Sequence, residues 1–486
     1  MLGGGAGEAM GEWSSVKPKR IWLWPFRGWL KWRYRHAVAL PQELLVIRRP
    51  ARFVAILLLL AAPLSAQSWC APHRADTGFV AFTGVSLWDG TGAETRRGTT
   101  ILIKGERITA VFKDGSQALP AGTAVRPFTG KYVIPGLIDA HVHVGSDVSG
   151  EDARVRADRR LCRALLGGIT AARDMAGDTR AIASMQRDAK VGDIASPDLY
   201  FASLWAGPAF FSDPRTAQAS AGEAPGSMPG MRAIDSTTDL RQAVAEARGT
   251  GATAIKLYAA LSPELVVAAT AEAHRQRLLV WAHASMAQVS PLQMTRAGVD
   301  VLSHGPRVAR ELPAAVYDTL VKDTTLSLRG RFDTPTFDTL FAEMRRRGTM
   351  MEPTLFIYMM DGRERLGAMA AELTRRANAR GVMIVAGTDS LGSGDEGAWT
   401  LPNLHEELRL LVREAGLSTA GALAASTRNA ARAVGAESER GTVEPGKLAD
   451  FVVLDADPLA DISNTATVRQ VVKRGAVYAG GPTLPR

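Results

Sequence analysis

The chain has 486 residues, of which 46% are hydrophobic and 22% charged, with two cysteines and a formal net charge of +9. That length allows about three ordinary domains or one large barrel with an appendage, and the composition excludes a disordered or collagen-like chain. Two cysteines exclude a disulfide scaffold and a thiolate zinc cage.

Most of the charge lies in residues 1–66, which hold ten Lys or Arg against Glu8, Glu12 and Glu43, a net of +7 that leaves +2 for everything after. A nucleic-acid partner is therefore not expected. Arg48, Arg49 and Arg52 precede the apolar run 53–62 and then Pro63-Leu64-Ser65-Ala66. Basic region, short apolar run and small-residue site form the pattern of a secretory signal cleaved near Ala66, giving an exported, periplasmic or secreted protein. An uncleaved membrane anchor is the alternative, disfavoured because the apolar run is too short to span a bilayer. The Trp-rich basic stretch 17–36 reads either as a membrane-surface helix or as the product of a start codon placed too far upstream. Membrane contact is expected only through this leader, and only if it is retained.

Residues 67–133 carry short strand-like runs at 80–82, 85–87, 100–103 and 108–111, separated by turn signals at Asp89-Gly90 and Lys104-Gly105-Glu106. Strand-like runs return over 441–486, at 450–454 and 468–478. Neither piece can close a core alone, so the two are expected to pair into one small β-sandwich. Between them, over 134–440, apolar runs alternate with helical patterns. Eight strands are expected at 134–144, 169–174, 199–204, 252–258, 278–283, 299–304, 350–355 and 382–389. The fold class is thus α/β, a (β/α)8 TIM barrel with its site at the C-terminal strand ends. Residues 212–227 read as a long loop. Cys162 shares a helix face with Val155, Leu165 and Leu166 and reads as a core residue, with a Cys70–Cys162 disulfide as the alternative.

Four of the seven histidines beyond the leader fall at predicted strand ends: His141, His143, His283 and His304. In Asp139-Ala140-His141-Val142-His143, strand alternation sends both imidazoles to one side, where they can share one ion. His283 and His304 lie 21 residues apart, about one βα unit, which returns the chain to the same rim. Lys256 sits in the apolar run 252–258, where desolvation favours the neutral amine, and that amine can take up carbon dioxide as a carbamate able to bridge two cations. Asp389 ends the eighth strand and can both hold a metal and accept a proton. His73 and His274 read as surface residues, and His405 as part of a solvated helix face.

The run Val133-Ile134-Pro135-Gly136-Leu137-Ile138-Asp139-Ala140-His141-Val142-His143 resembles the first-strand signature of the metal-dependent amidohydrolase superfamily. The tail Gly441-Thr442-Val443-Glu444-Pro445-Gly446-Lys447-Leu448-Ala449-Asp450-Phe451 is similar to that superfamily's return into its composite β-domain. The resemblance covers about residues 79–480. It is strongest to the branch of imidazolonepropionase and of Xaa-Pro or Xaa-Arg dipeptidases with a carboxylated lysine. It implies two divalent cations, Zn2+ above all: His141, His143 and Asp389 on one, His283 and His304 on the other, and a carbamate on Lys256 between them. The deaminase branch usually carries a Glu just beyond the fifth-strand His; Ala284-Ser285-Met286-Ala287-Gln288 stands there instead and counts against a deaminase.

The expected activity is hydrolysis of the amide bond of a dipeptide or N-acyl amino acid by a metal-bridging hydroxide, with Asp389 relaying the proton. Hydrolysis of a small cyclic amide or lactone is the enzyme alternative. An inactive exported metal-binding protein is the alternative from another class. Tyr200, Phe201, Trp205, Phe210, Phe211 and Tyr258 are expected near the barrel mouth, with Tyr258 facing substrate and Arg173 and Arg232 available to its carboxylate. Oligomeric state is left open, a homo-oligomer being compatible with the sequence.

Overall fold

The computed structural model describes residues 70–145, 153–220, 222–359, 362–391 and 400–480. The chain divides into Met1–Ser68 and Trp69–Arg486, and the leader expected over 1–66 lies outside the described residues. No helix among the described residues is long and apolar enough to cross a membrane.

The first five strands are β1 (Phe79–Leu87), β2 (Arg96–Lys104), β3 (Arg107–Lys113), β4 (Ala124–Pro127) and β5 (Tyr132–Pro135). The two short runs expected at 80–82 and 85–87 join into the single strand β1. A register shift between Phe82 and Val85, with Gly84 at φ 78°, bends the strand without ending it.

The barrel follows. Its strands are β6 (Leu137–Val142), β7 (Ile169–Asp174), β8 (Asp198–Ala206), and, after the hairpin of β9 (Ser227–Met228) and β10 (Met231–Ala233), β11 (Ala254–Leu257), β12 (Leu279–His283), β13 (Val301–Ser303) and β14 (Met350–Glu352). All pair in parallel with their barrel neighbours. The eighth strand, expected at 382–389, forms no regular ladder, yet it bonds on both sides. Met351 N donates to Met383 O and Val385 N to Met351 O; Ala140 N donates to Ala386 O and Asp389 N to His141 O. Those bonds close the ring between β14 and β6.

The long loop expected at 212–227 is instead a short helix, Pro214–Ser220, leading to the β9–β10 hairpin, and β10 extends β8 in parallel. Small and polar residues concealed the helix because its stability comes from packing rather than propensity.

The last strands are β15 (Phe451–Leu454), β16 (Val468–Lys473) and β17 (Ala476–Ala479). β15 pairs antiparallel with β5, Val453 opposite Val133, so the two ends of the described chain join in one eight-stranded sheet, in the order β17-β16-β15-β5-β1-β2-β3 with β4 beside β1. Its core gathers Phe82, Ile101, Val133, Phe451 and Val472, and the Phe82 ring meets Phe451 edge-on at 4.9 Å.

Two expectations about side chains change here. Cys162 is not a lone core residue: it is bonded to Cys70, which approaches its helix from 92 residues away. His405 is buried, with Nδ1 3.0 Å from Thr465 Oγ1 and Nε2 2.9 Å from the Gly167 carbonyl. Its helix, Leu404–Arg413, is covered on a wide arc by the turn Ile462–Ala466 and the helix Leu355–Tyr358, so the buried face extends past the apolar stripe to His405 and Glu407.

Candidate functional site

β6 ends with His141 buried and His143 one residue beyond it, a third of its side chain exposed at the rim. Both Nε2 atoms face one carboxylate oxygen, Asp389 Oδ1, at 3.2 Å from His141 and 2.8 Å from His143. The bond from Asp389 N to the His141 carbonyl brings that carboxylate there by docking the eighth segment on β6. Donor atoms of His141, His143 and Asp389 all lie within 4.8 Å of one another, and two imidazoles with a carboxylate suit a divalent cation such as Zn2+.

His283, the last residue of β12, and His304, just past β13, stand beside this group. The rings form a continuous row: His143 to His141 at 5.4 Å, His141 to His304 at 5.2 Å, and His304 to His283 at 4.8 Å. His304 Nδ1 lies 3.1 Å from Thr354 Oγ1. Non-glycine residues rarely take positive φ, yet His304, Thr354 and Asp389 do, at 74°, 50° and 55°, all at the same rim. Such strain clusters at sites held in place by the surrounding fold.

Lys256 lies within β11, 1% exposed, and its Nζ donates to Ser303 Oγ at 2.8 Å. Burial lowers its pKa to about 8 against the pull of the Glu352 and Asp389 charges, which brings the uncharged amine close to neutral pH. For Asp389, burial opposes ionisation, but His141 and His143 outweigh it and hold the carboxyl well below its ordinary range. Burial likewise opposes charge on His141, yet Glu352 and Asp389 raise it to about 9. Burial, with the charge of Arg307, depresses His283; burial also depresses His304.

Two carboxylates that the sequence did not single out support this cluster. Glu352 ends β14, is fully buried, and places Oε2 2.9 Å from His141 Nδ1; its Oε1 has no hydrogen-bond partner. A proton on Nδ1 directed at Glu352 leaves the Nε2 lone pair free for a metal, the usual way a carboxylate orients a ligating histidine. Asp139 accepts from His141 N, Thr388 N and Thr388 Oγ1, at 3.3, 3.1 and 2.8 Å, tying β6 to the eighth segment; burial pushes it up to about 7 despite those bonds. An acid at the end of an apolar run was the only signal for Glu352.

The expected substrate residues separate. Tyr258 sits at the mouth, half-buried, its ring 4.0 Å from His283. Arg173 is a correction. It is wholly buried, donating to the carbonyls of Ala433 and Val434 and to Thr253 Oγ1, so it ties the barrel interior to the end of the helix Arg428–Ala433 and is closed to substrate. Arg232 is engaged by Glu246, a partner one helix away that local sequence reading does not reveal.

A parallel α/β barrel with an imidazole–carboxylate cluster at its C-terminal rim defines the class, that of the metal-dependent hydrolase barrels. A profile of the amidohydrolase family matches residues 132–477, and the chain belongs to that family as a hydrolase acting on C–N bonds. Over 106 residues it is 39% identical to imidazolonepropionase of Symbiobacterium thermophilum, a stretch covering 20% of this chain and only 24% of that protein. In structure it is similar to a putative prolidase from Bifidobacterium longum, with a TM-score of 0.63 and 26% identity over 84% of this chain and 96% of the other. It shares its fold with a Xaa-Pro dipeptidase solved with methionine in the active site, with a TM-score of 0.64 and 22% identity over 83% of this chain and all of that one.

Proposed function

We propose that the chain is an exported, binuclear amidohydrolase that cleaves the amide bond of dipeptides or N-acyl amino acids. The observation that carries this reading is the convergence of His141, His143 and Asp389 within 4.8 Å, with His283, His304 and Lys256 on the neighbouring strand ends. His141, His143 and Asp389 would hold one cation. His283 and His304 would hold the other once Lys256 carries a carbamate, formed as Nζ bonds to the carbon of CO2 and gives up a proton. When bound, the pair of Zn2+ ions polarises the scissile carbonyl and acidifies water.

The chain's own groups do the rest. Asp389, kept ionised, accepts the proton of the attacking water and returns it to the departing amine. Glu352 holds the His141 ring, and Tyr258 packs on His283 to shape the mouth. The likeness to dipeptidases favours a linear amide, and the matched stretch of imidazolonepropionase keeps a cyclic amide as the second reading. The Cys70–Cys162 disulfide supports an oxidising compartment, hence export.

The test combines metal analysis of residues 67–486 with a panel of dipeptides, N-acyl amino acids and cyclic imides. Two zinc ions per chain and turnover of the linear amides are expected, and Asp389→Asn should lose turnover by roughly 10²- to 10⁴-fold, the usual worth of a positioned general base. Near wild-type kcat in that variant, or turnover of the cyclic imides alone, overturns the assignment.

A further inference from the structure

An imidazole holds a cation only through a nitrogen that carries no proton, so each ligating ring must be kept in one tautomer. For His141 the choice is made by Glu352 at Nδ1. For His304 it falls to a hydroxyl. Thr354 Oγ1 lies 3.1 Å from His304 Nδ1 and 2.8 Å from the Pro353 carbonyl oxygen, and all three residues are buried. Two oxygens at that separation repel unless a proton lies between them, and the carbonyl has none to give. The single hydroxyl proton therefore points at Pro353. What remains on Oγ1 is a lone pair, which makes a hydrogen bond with His304 only if Nδ1 carries the proton.

The backbone around the hydroxyl is unusual. Thr354 takes φ 50° and ψ 51°, a left-handed conformation that a β-branched residue rarely enters. The next two amides, Leu355 N and Phe356 N, open the helix Leu355–Tyr358 and donate to the two oxygens of Glu407 at 3.1 Å and 2.6 Å. Glu407 is fully buried on the helix Leu404–Arg413. From the opposite side, His304 N donates to the Glu352 carbonyl and Gly305 N to the Pro353 carbonyl, at 2.8 Å and 3.0 Å. Turn and imidazole are thus pinned to each other and to a third element.

We infer that Thr354 is the positioning residue of the second cation site: its hydroxyl fixes His304 as the Nδ1–H tautomer, leaving Nε2 bare for the cation, and Glu407 clamps the strained turn that presents it. The inference rests on the reading of His304 as a ligand given above. Sterics alone favour glycine or asparagine at such a conformation, so the strain at Thr354 is offset by what its oxygen does. Without that acceptor both tautomers of the ring become available, and one of them places a proton where the cation must bind.

Two readouts on the full chain test this. The first is nitrogen NMR of labelled imidazoles in the metal-free protein at about pH 8.5, where ordinary histidines are neutral. The wild type should show His304 protonated at Nδ1, and Thr354→Gly should gain the Nε2–H form. The second is Zn2+ affinity by chelator competition, with bicarbonate present. Thr354→Val and Thr354→Gly should each weaken the second cation by roughly 10- to 100-fold and spare the first, whereas Thr354→Ser should restore it. Thr354→Gly should fold at least as well as the wild type, because glycine takes that φ without strain, so its loss of affinity is not a loss of structure. Glu407→Gln should show a smaller loss at the same cation, and none where Thr354 is already glycine.

A wild-type His304 protonated at Nε2 overturns the inference and leaves the hydrolase reading intact, as does unchanged affinity in both Thr354→Val and Thr354→Gly. An equal loss from Glu407→Gln in both backgrounds overturns the clamp. If the wild type binds fewer than two cations, the binuclear reading fails, and the tautomer of His304 then decides the role of Thr354 by itself.

Discussion

A carboxylate with one oxygen bonded and the other bare is costly in a dry interior, so Glu352 needs a purpose. The geometry supplies one, because Oε2 fixes the Nδ1 side of His141 and thereby the direction of Nε2. Glu352→Gln keeps the shape but can present an amide N–H to Nδ1, which favours the wrong tautomer. Metal affinity should fall about 10- to 100-fold, as is usual when the outer partner of a ligating histidine is lost. Chelator competition measures it, and an unchanged affinity would remove the orienting role. The residues proposed as ligands could be nominated from the chain, since strand alternation and strand-end position are local properties. Glu352 could not, because what marks it is the tertiary contact of Oε2 with His141 and the missing partner of Oε1.

At the scale of elements, the eighth strand carries Asp389 without a regular ladder, and its approach to β6 and β14 depends on Gly387. A Cβ there would stand 2.5 Å from Glu352 Oε1 and 2.8 Å from His141 Cβ. The demand is steric, since Gly387 is not among the residues at positive φ. Gly387→Ala should therefore cost about 1–3 kcal/mol of stability from overpacking, and should also weaken metal binding by displacing Glu352 and His141 together. Thermal unfolding of the metal-free protein reads the first effect and metal titration the second; a stable variant with unaltered affinity would show that the segment is not so tightly seated. Periodicity located this strand at 382–389 because its apolar run is conspicuous, but it could not foresee the irregular pairing, which the curvature of the closed ring imposes.

Over the whole molecule, barrel and composite sheet are joined by charge as well as by the shared chain. Asp198, at the start of β8, meets Lys473 Nζ at 2.7 Å and Arg474 Nε at 2.7 Å, and pairs also with Arg440, which reaches Asp450 at 3.1 Å. Burial opposes the Asp198 charge, but the three cations outweigh it and hold the carboxyl well below its ordinary value. A depressed folded-state pKa contributes stability above the unfolded value near ~4 and loses it as pH falls toward the folded one. Asp198→Asn should thus cost about 3–5 kcal/mol at neutral pH, by leaving buried cations short of a partner. The gap from wild type should narrow below about pH 4, where the unfolded carboxyl is protonated. Urea unfolding at both pH values tests this; a gap independent of pH would assign the loss to packing. The sequence by itself determined the barrel and the pairing of its two ends into one sheet, and it nominated the histidines, lysine and aspartate proposed for the site, because patterning and strand-end position are written locally. Only the tertiary structure decided that Arg173 and Arg232 are spent on the fold, which cysteines meet, and which carboxylate stands behind His141. Those outcomes depend on residues far apart in the chain arriving within a few ångströms, and no local pattern records such a meeting.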